Sequence, residues 1–286
     1  MEAKAIDPAE FRSGQRQQWN SAATGWRKWS ELIDSSASSI SERLVELAGV
    51  EPGSRVLDVA AGYGEPSLTA ARRAGGEGRV FATDIAAEML AYGRERAQAA
   101  GIENIEFIES DASSLEFDEG SIDAAVSRWG IIFEPDGEGS AARVRGFLKD
   151  GGRMAISSWG TPDRVPFLGV PVMTVIQRLG VSPPPPGTPG PLSRPTPEAI
   201  GGLLEGGGFS DVEVEEHEIS FEWDSPEEFT TFVREIAPPI TALMANHSEQ
   251  EQAETWNAIT EAIRERARGD GKLELTNLVL LASGRA

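Results

Sequence analysis

Asp58, Gly62, Gly64, Asp84, Asp111 and Arg128 are the residues whose types and spacing could do chemistry. Asp58 sits in the apolar run Val56–Val59, and small residues lead from it through Ala60 into Gly62-Tyr63-Gly64. Glycine is needed where a backbone turns with positive φ or lets a ligand come close. A helical pattern begins directly after this turn, and a helix N-terminus presents free N–H groups and partial positive charge. A second apolar run, Val80-Phe81-Ala82-Thr83-Asp84, also ends in an acid. Asp84 follows Gly64 by 20 residues, about where a nucleotide-binding fold places the carboxylate that holds ribose hydroxyls. Of the two histidines, His217 lies among glutamates on a strand and reads as surface. His247, at the end of a helical stretch, is the one catalytic candidate retained, and no base is assigned. The absence of cysteine excludes disulfides, thiolate metal sites and a cysteine nucleophile, and no metal site is expected.

These residues need elements to position them. Residues 8–34 read as one helix carrying Trp19, Trp26 and Trp29, which either dock on the body of the protein or roof a ligand pocket. A second helix covers Ser35 to Gly49. Strands are predicted at about 55–60, up to Asp84, at Ile105–Ile108, at Ile122–Ser127 and at Arg153–Trp159, with helical patterns at about 64–74, 86–100 and 138–148. Strands alternating with helices mean a parallel sheet with right-handed crossovers, whose ligand sits beyond the strands' carboxyl ends. Gly62, Asp84, Asp111 and Arg128 all fall at those ends. Beyond Gly160 come an apolar helix at 166–179, a Pro/Gly-rich loop to Pro197 that reads as a lid, and a helix from Pro197 to about Gly206. Residues 209–223 form one long strand, with a bulge or bend expected near Glu216, where the apolar phase switches from Val212 and Val214 to Ile219, Phe221 and Trp223. Helices at about 225–236, 238–246 and 249–268 precede a last strand at 273–283.

Composition bounds the rest. The chain has 286 residues, 40% hydrophobic and 25% charged, as expected of globular material. Its net charge of −20 repels phosphate backbones, so no nucleic-acid partner is expected. No apolar run is long enough for a membrane span, and Met1–Asp7 lacks the apolar core of a secretory signal, which leads to the expectation of a cytoplasmic protein. Residues 11–30 are basic without an acid, either as solvated surface or as the border of a site for an anionic group.

Val56-Leu-Asp-Val-Ala-Ala-Gly-Tyr-Gly64 resembles the first motif of class I S-adenosylmethionine (SAM) methyltransferases, with Ala60 in place of the usual first glycine. Asp84 matches the acid after the second strand, Asp111-Ala112 resembles the next motif, and Leu148–Arg153 resembles the turn into the fifth strand. The likeness is greatest to UbiE-like enzymes, and Trp19–Trp26 is similar to their aromatic segment over the cofactor. The resemblance implies an α/β, Rossmann-like, seven-stranded sheet, mostly parallel with the last strand antiparallel, helices on both faces and helical cap insertions. It implies one such domain over residues 1–286, with its core at about 36–160, 197–223 and 271–286 and its cap from 8–34, 161–196 and 224–270. It also implies SAM as cofactor. Asp84 would hold the ribose hydroxyls, the Gly62–Gly64 backbone would approach the amino-acid and ribose portion, and Asp58 would orient the loop or accept from the ammonium. Ile85 and Met89 would sandwich adenine, Asp111 and the Ala112 backbone would read its edge, Arg128 would pair with the carboxylate, and Trp26 would roof the sulfonium.

The expected activity is methyl transfer to a small, apolar, aromatic or isoprenoid-like acceptor by C- or O-methylation, in a monomer or homodimer. The fourth strand ends Ser127-Arg128-Trp129-Gly130, without the Asn/Asp-Pro-Pro-aromatic signature of enzymes that methylate nucleic-acid bases. Two rivals remain. An NAD-dependent oxidoreductase would normally carry Gly-x-Gly-x-x-Gly, whose third glycine is missing. A catalytically silent SAM-binding regulator would keep the cofactor residues and turn over no acceptor.

Overall fold

β1 (Arg55–Val59) is the strand around which the sheet is built, and the computed structural model describes residues 8–183, 185 and 187–286 of the chain. The reading of Met1–Asp7, and the Pro184 and Pro186 portion of the proline-rich loop, lie outside the described residues. Val56, Leu57, Asp58 and Val59 are all buried, which is why the strand reads as a continuous apolar run. It pairs in parallel with β2 (Arg79–Asp84) on one side and β4 (Ile122–Arg128) on the other. β3 (Ile105–Glu109) extends the sheet beyond β2, and β5 (Leu148–Trp159) beyond β4. β7 (Leu273–Arg285) runs antiparallel between β5 and β6 (Ser210–Trp223), giving the order β3-β2-β1-β4-β5-β7-β6. This is the expected seven-stranded sheet. The order reverses between β1 and β4, so a crevice opens at their carboxyl ends.

The helices that follow the first strands are α3 (Ser67–Ala74), α4 (Ala87–Ala99) and α5 (Gly137–Phe147). The boundary expected between residues 34 and 35 lies earlier. α1 (Pro8–Lys28) stops before Trp29, and α2 (Ser30–Leu47) starts directly after it. The reason lies in what each must cover. α2 buries Ile33, Ile40 and Leu44 against β4 to β6, while α1 lies across the carboxyl edge of the sheet. Trp29 stands at the junction, where its ring meets Phe232 edge-on at 5.4 Å and its Nε1–H donates to Glu235 at 2.5 Å.

The remaining helices are α6 (Pro166–Leu179), α7 (Pro197–Gly206), α8 (Pro226–Ile236), α9 (Pro238–Leu243) and α10 (Glu249–Arg264). α10 ends four residues before its expected limit of 268 and starts with a capping box made by Ser248 and Glu251. The bend expected near Glu216 is absent. From Glu213 to Trp223, β6 pairs with β7 without interruption, and the register shifts only between Ser210 and Glu213, where Asp211 has φ 48°. The apolar phase switches because different helices cover the two faces. Val212 and Val214 face Gly201 of α7, whereas Phe221 and Trp223, on the other face, pack against Phe232 of α8. No helix among the described residues is long and apolar enough to cross a membrane.

Candidate cofactor and acceptor site

Parallel strands β1 and β4 both leave the sheet through left-handed residues that are not glycine: Ala60 (φ 58°) and Trp129 (φ 56°). Each costs about 1 kcal/mol or more relative to an ordinary turn, and such strain collects at sites that need it. Beyond these two turns lies a pocket with about 1330 Å³ of empty space, open solvent at its mouth included.

Ala60, Gly62, Asp84, Ile85, Met89, Asp111, Ala112, Arg128 and Trp26 line this pocket. Asp58, Gly64 and His247 do not. Asp58 is fully buried behind the loop, with one carboxylate oxygen accepting from Ser67 Oγ at 2.5 Å and the other without a partner among the described residues. Gly64 (φ 109°) faces α4, where a side chain would come within 3.3 Å of the Gly93 Cα. His247 stands just before α10, 3.9 Å from Glu251. His217 accepts from or donates to Ser39 Oγ at 3.1 Å, away from the pocket.

Asp84 ends β2 almost buried, at 7% exposure. Its two oxygens accept from the backbone N–H groups of Gly62 and Ala86, each at 2.8 Å, so the carboxylate ties the glycine turn to the start of α4. Burial pushes its pKa up to about 6 despite these bonds. Each oxygen keeps lone pairs for further donors. Asp111 is part-buried, and although that burial opposes it, the hydroxyls of Ser113 and Ser114 and the Arg12 guanidinium hold its carboxyl below the usual range. Arg128 is buried at the end of β4 and donates to two hydroxyls, Ser41 Oγ and Tyr63 Oη, each at 2.9 Å, rather than to a carboxylate. A buried guanidinium without an anionic hydrogen-bond partner among the described residues is suited to receive one.

α1 closes over these groups. Arg16 donates to the Ile85 carbonyl at 3.3 Å, Asn20 accepts from the Glu88 N–H at 3.0 Å, and Gln15 donates to the Phe133 carbonyl at 3.0 Å. Trp26 donates through Nε1 to the Ile236 carbonyl at 3.0 Å and leans on Tyr63 at 5.5 Å. The N-terminal tryptophans therefore both dock and line the pocket: Trp19 meets Phe133 edge-on at 5.2 Å, and both Trp19 and Trp26 contribute to its wall.

Sequence reasoning missed part of the site. Glu134 also lines the pocket, and burial, then the nearby Asp111 charge, push its pKa up to about 7. Tyr63 occupies the middle of Gly62-x-Gly64, where an aromatic between two glycines was the available signal. Part of the pocket lining is aromatic: Trp129 stacks on Trp159 at 4.4 Å, and Phe167, Phe221 and Phe232 also line it. The apolar segments at 166–179 and 225–246 thus contribute Phe167, Phe232 and Ile240 to a cavity wall.

Asp58 gives a prediction for stability. Burial raises its pKa from 3.8 to about 7, so the folded protein holds a proton there that the unfolded chain releases. Its contribution is fully present below about pH 4 and is lost as pH rises through about 7. Asp58→Asn is expected to flatten that part of the pH–stability curve, measured by urea unfolding between pH 5 and 8.

The chain is similar to known proteins in the region that builds this site. Residues 56–152 match the methyltransferase domain family Methyltransf_25. The ubiquinone/menaquinone biosynthesis C-methyltransferase UbiE of Teredinibacter turnerae is 34% identical over 119 residues, covering 41% of this chain and 48% of the relative. The aklanonic acid methyltransferase DauC of a Streptomyces species is 36% identical over 116 residues, 41% of this chain and 53% of the relative. The chain therefore spans about half the length of these curated relatives. Among solved structures, the YcgJ protein of Bacillus subtilis shares the fold, with a TM-score of 0.55 at 16% identity, covering 86% of this chain and 98% of that one. Asp58, Gly62, Asp84, Asp111 and Arg128 all fall inside the region that matches a methyltransferase domain and is similar to the UbiE C-methyltransferase.

Proposed function

We propose that this chain transfers the methyl group of SAM to a small apolar or aromatic acceptor, in one pocket that holds cofactor and acceptor side by side. The observation that carries this is that one pocket brings together polar groups, Asp84, Asp111 and Arg128, and an aromatic set, Trp159, Phe167, Phe221 and Phe232.

SAM supplies an activated sulfonium methyl and a good leaving group, so the protein's work is alignment and exclusion of water. In this reading Asp84 accepts from the ribose hydroxyls and Arg128 pairs with the amino-acid carboxylate. Ile85 and Met89 flank adenine, and Asp111 and the Ala112 backbone meet its edge. Ala60 and Gly62 bring the backbone close to the amino-acid end, while Asp58 and Gly64 support the loop from behind. Trp26 roofs the pocket, held by its bond to the Ile236 carbonyl.

The acceptor is set outside the matched region. Phe167, Phe221 and Phe232 lie beyond residue 152, where the family match ends. The relatives, named for different acceptors, resemble this chain over only 41% of its length. The test is transfer of labelled methyl from SAM to a panel of phenolic, quinone, isoprenoid and amine compounds. Label is expected in an aromatic or quinone member. SAM binding with no transfer to any class would favour the silent regulator instead.

A further inference from the structure

We infer that Asp34 and Tyr63 are positioning residues that fix the orientation of Arg128 toward the amino-acid end of the cofactor. This rests on the reading of the pocket as a SAM site.

The geometry is a chain of hydrogen bonds across four separate parts of the fold. Arg128 Nη2, at the end of β4, donates to Tyr63 Oη at 2.9 Å. Tyr63, in the glycine turn, donates its own proton to Asp34 Oδ1 of α2 at 2.7 Å. Arg96 of α4 pairs with the other oxygen of Asp34 and donates to the Tyr63 carbonyl at 3.1 Å. Ser41, also on α2, accepts from Arg128 Nη1 at 2.9 Å. Tyr63 is 2% exposed and Ser41 1%, so neither can exchange its partner for water.

The polarity of this chain follows from counting protons. A phenol has one O–H to give and lone pairs to accept with. Burial raises the Tyr63 pKa, so it stays protonated. Asp34 takes that proton's hydrogen bond, which leaves only the lone pairs to face Arg128. Without Asp34 the hydroxyl is free to turn its hydrogen toward the guanidinium, and the fork loses a fixed point. Arg128 has five N–H donors, and the two bonds to Tyr63 and Ser41 hold the plane of the fork while the others stay available on the pocket side. The Arg96 guanidinium, 4.6 Å from the Tyr63 ring, clamps the ring from behind.

S-Adenosylhomocysteine (SAH) and 5′-methylthioadenosine separate this role from general stability. They share the adenosine and the sulfur, and only SAH carries the amino-acid group. The wild-type protein is expected to bind SAH more tightly than methylthioadenosine. Tyr63→Phe and Asp34→Leu are each expected to weaken SAH by about tenfold, the scale of one hydrogen bond to a charged group, and to leave methylthioadenosine within about twofold. Asp34→Leu roughly keeps the volume of the side chain, removes both acceptor oxygens and covers the case in which Tyr63→Phe does not fold. If both ligands weaken together, or SAH binding is unchanged in both variants, the positioning role is wrong while the SAM site stands. If wild-type protein binds neither compound, the reading of the pocket falls, and the positioning role with it.

Discussion

Asp84→Asn is expected to lower the affinity for SAM and SAH by at least about 100-fold without unfolding the protein. The carboxylate already accepts the Gly62 and Ala86 N–H groups, one on each oxygen. An amide offers one acceptor and one donor, so one of those N–H groups would face another donor. The ribose hydroxyls would meanwhile lose a charged acceptor, and hydrogen bonds to charged groups contribute about 1.5–3 kcal/mol each. The same group sets a pH dependence. Its folded pKa is raised from 3.8 to about 6, so Asp84 itself favours the fold most below about pH 4 and loses that contribution as pH rises through about 6. Binding runs the opposite way, because only the ionised form accepts from Gly62, Ala86 and the ribose together. SAH affinity is expected to fall about tenfold per unit below pH 6, and Asp84→Asn is expected to lack this fall. Circular dichroism on the same samples separates lost binding from lost fold.

Gly130→Ala is expected to lower stability by about 1–3 kcal/mol, and Ala60→Gly in the same chain to restore part of it. A Cβ at Gly130 would overlap the Ala60 methyl and come within 3.0 Å of both Ser127 Oγ and the Val59 carbonyl. Ser127 cannot move aside, because its hydroxyl donates to Val59 O at 2.8 Å and accepts from Ile131 N at 2.9 Å. Removing the Ala60 methyl relieves the worst contact and frees a left-handed position of its side chain. The contacts to Ser127 and Val59 remain, so recovery is incomplete. A double-mutant cycle in urea measures the coupling, which is expected to exceed about 0.5 kcal/mol because the two residues touch. Additive effects would mean that β1 and β4 do not meet as described.

What the sequence made legible was local. Gly62-x-Gly64 and Asp84 lie in short strand–turn units, and the spacing between them reflects one crossover of a parallel sheet, so position alone identified them. Arg128 stood out as a charge ending an apolar strand. Asp34 did not, because it lies 29 residues before Tyr63 in a different element, α2, and only the fold brings it to the glycine turn. The aromatic wall was hidden for the same reason: Trp159, Phe167, Phe221 and Phe232 come from one strand end, two helices and a second strand. Local pattern also misled in two places. A phase switch in β6 suggested a bend, when two helices simply cover opposite faces of a regular strand. The unbroken helical pattern through Trp29 concealed a helix break at the residue that docks on α8.

The central claim is that the crevice between β1, β2 and β4 holds SAM beside an apolar acceptor. Calorimetric titration of the wild-type chain with SAM, SAH and NAD tests it most directly. The account predicts micromolar binding of SAM and SAH, no heat from NAD, and loss of both nucleoside signals in Asp84→Asn. Absence of SAM binding, or binding that is indifferent to Asp84, would contradict it.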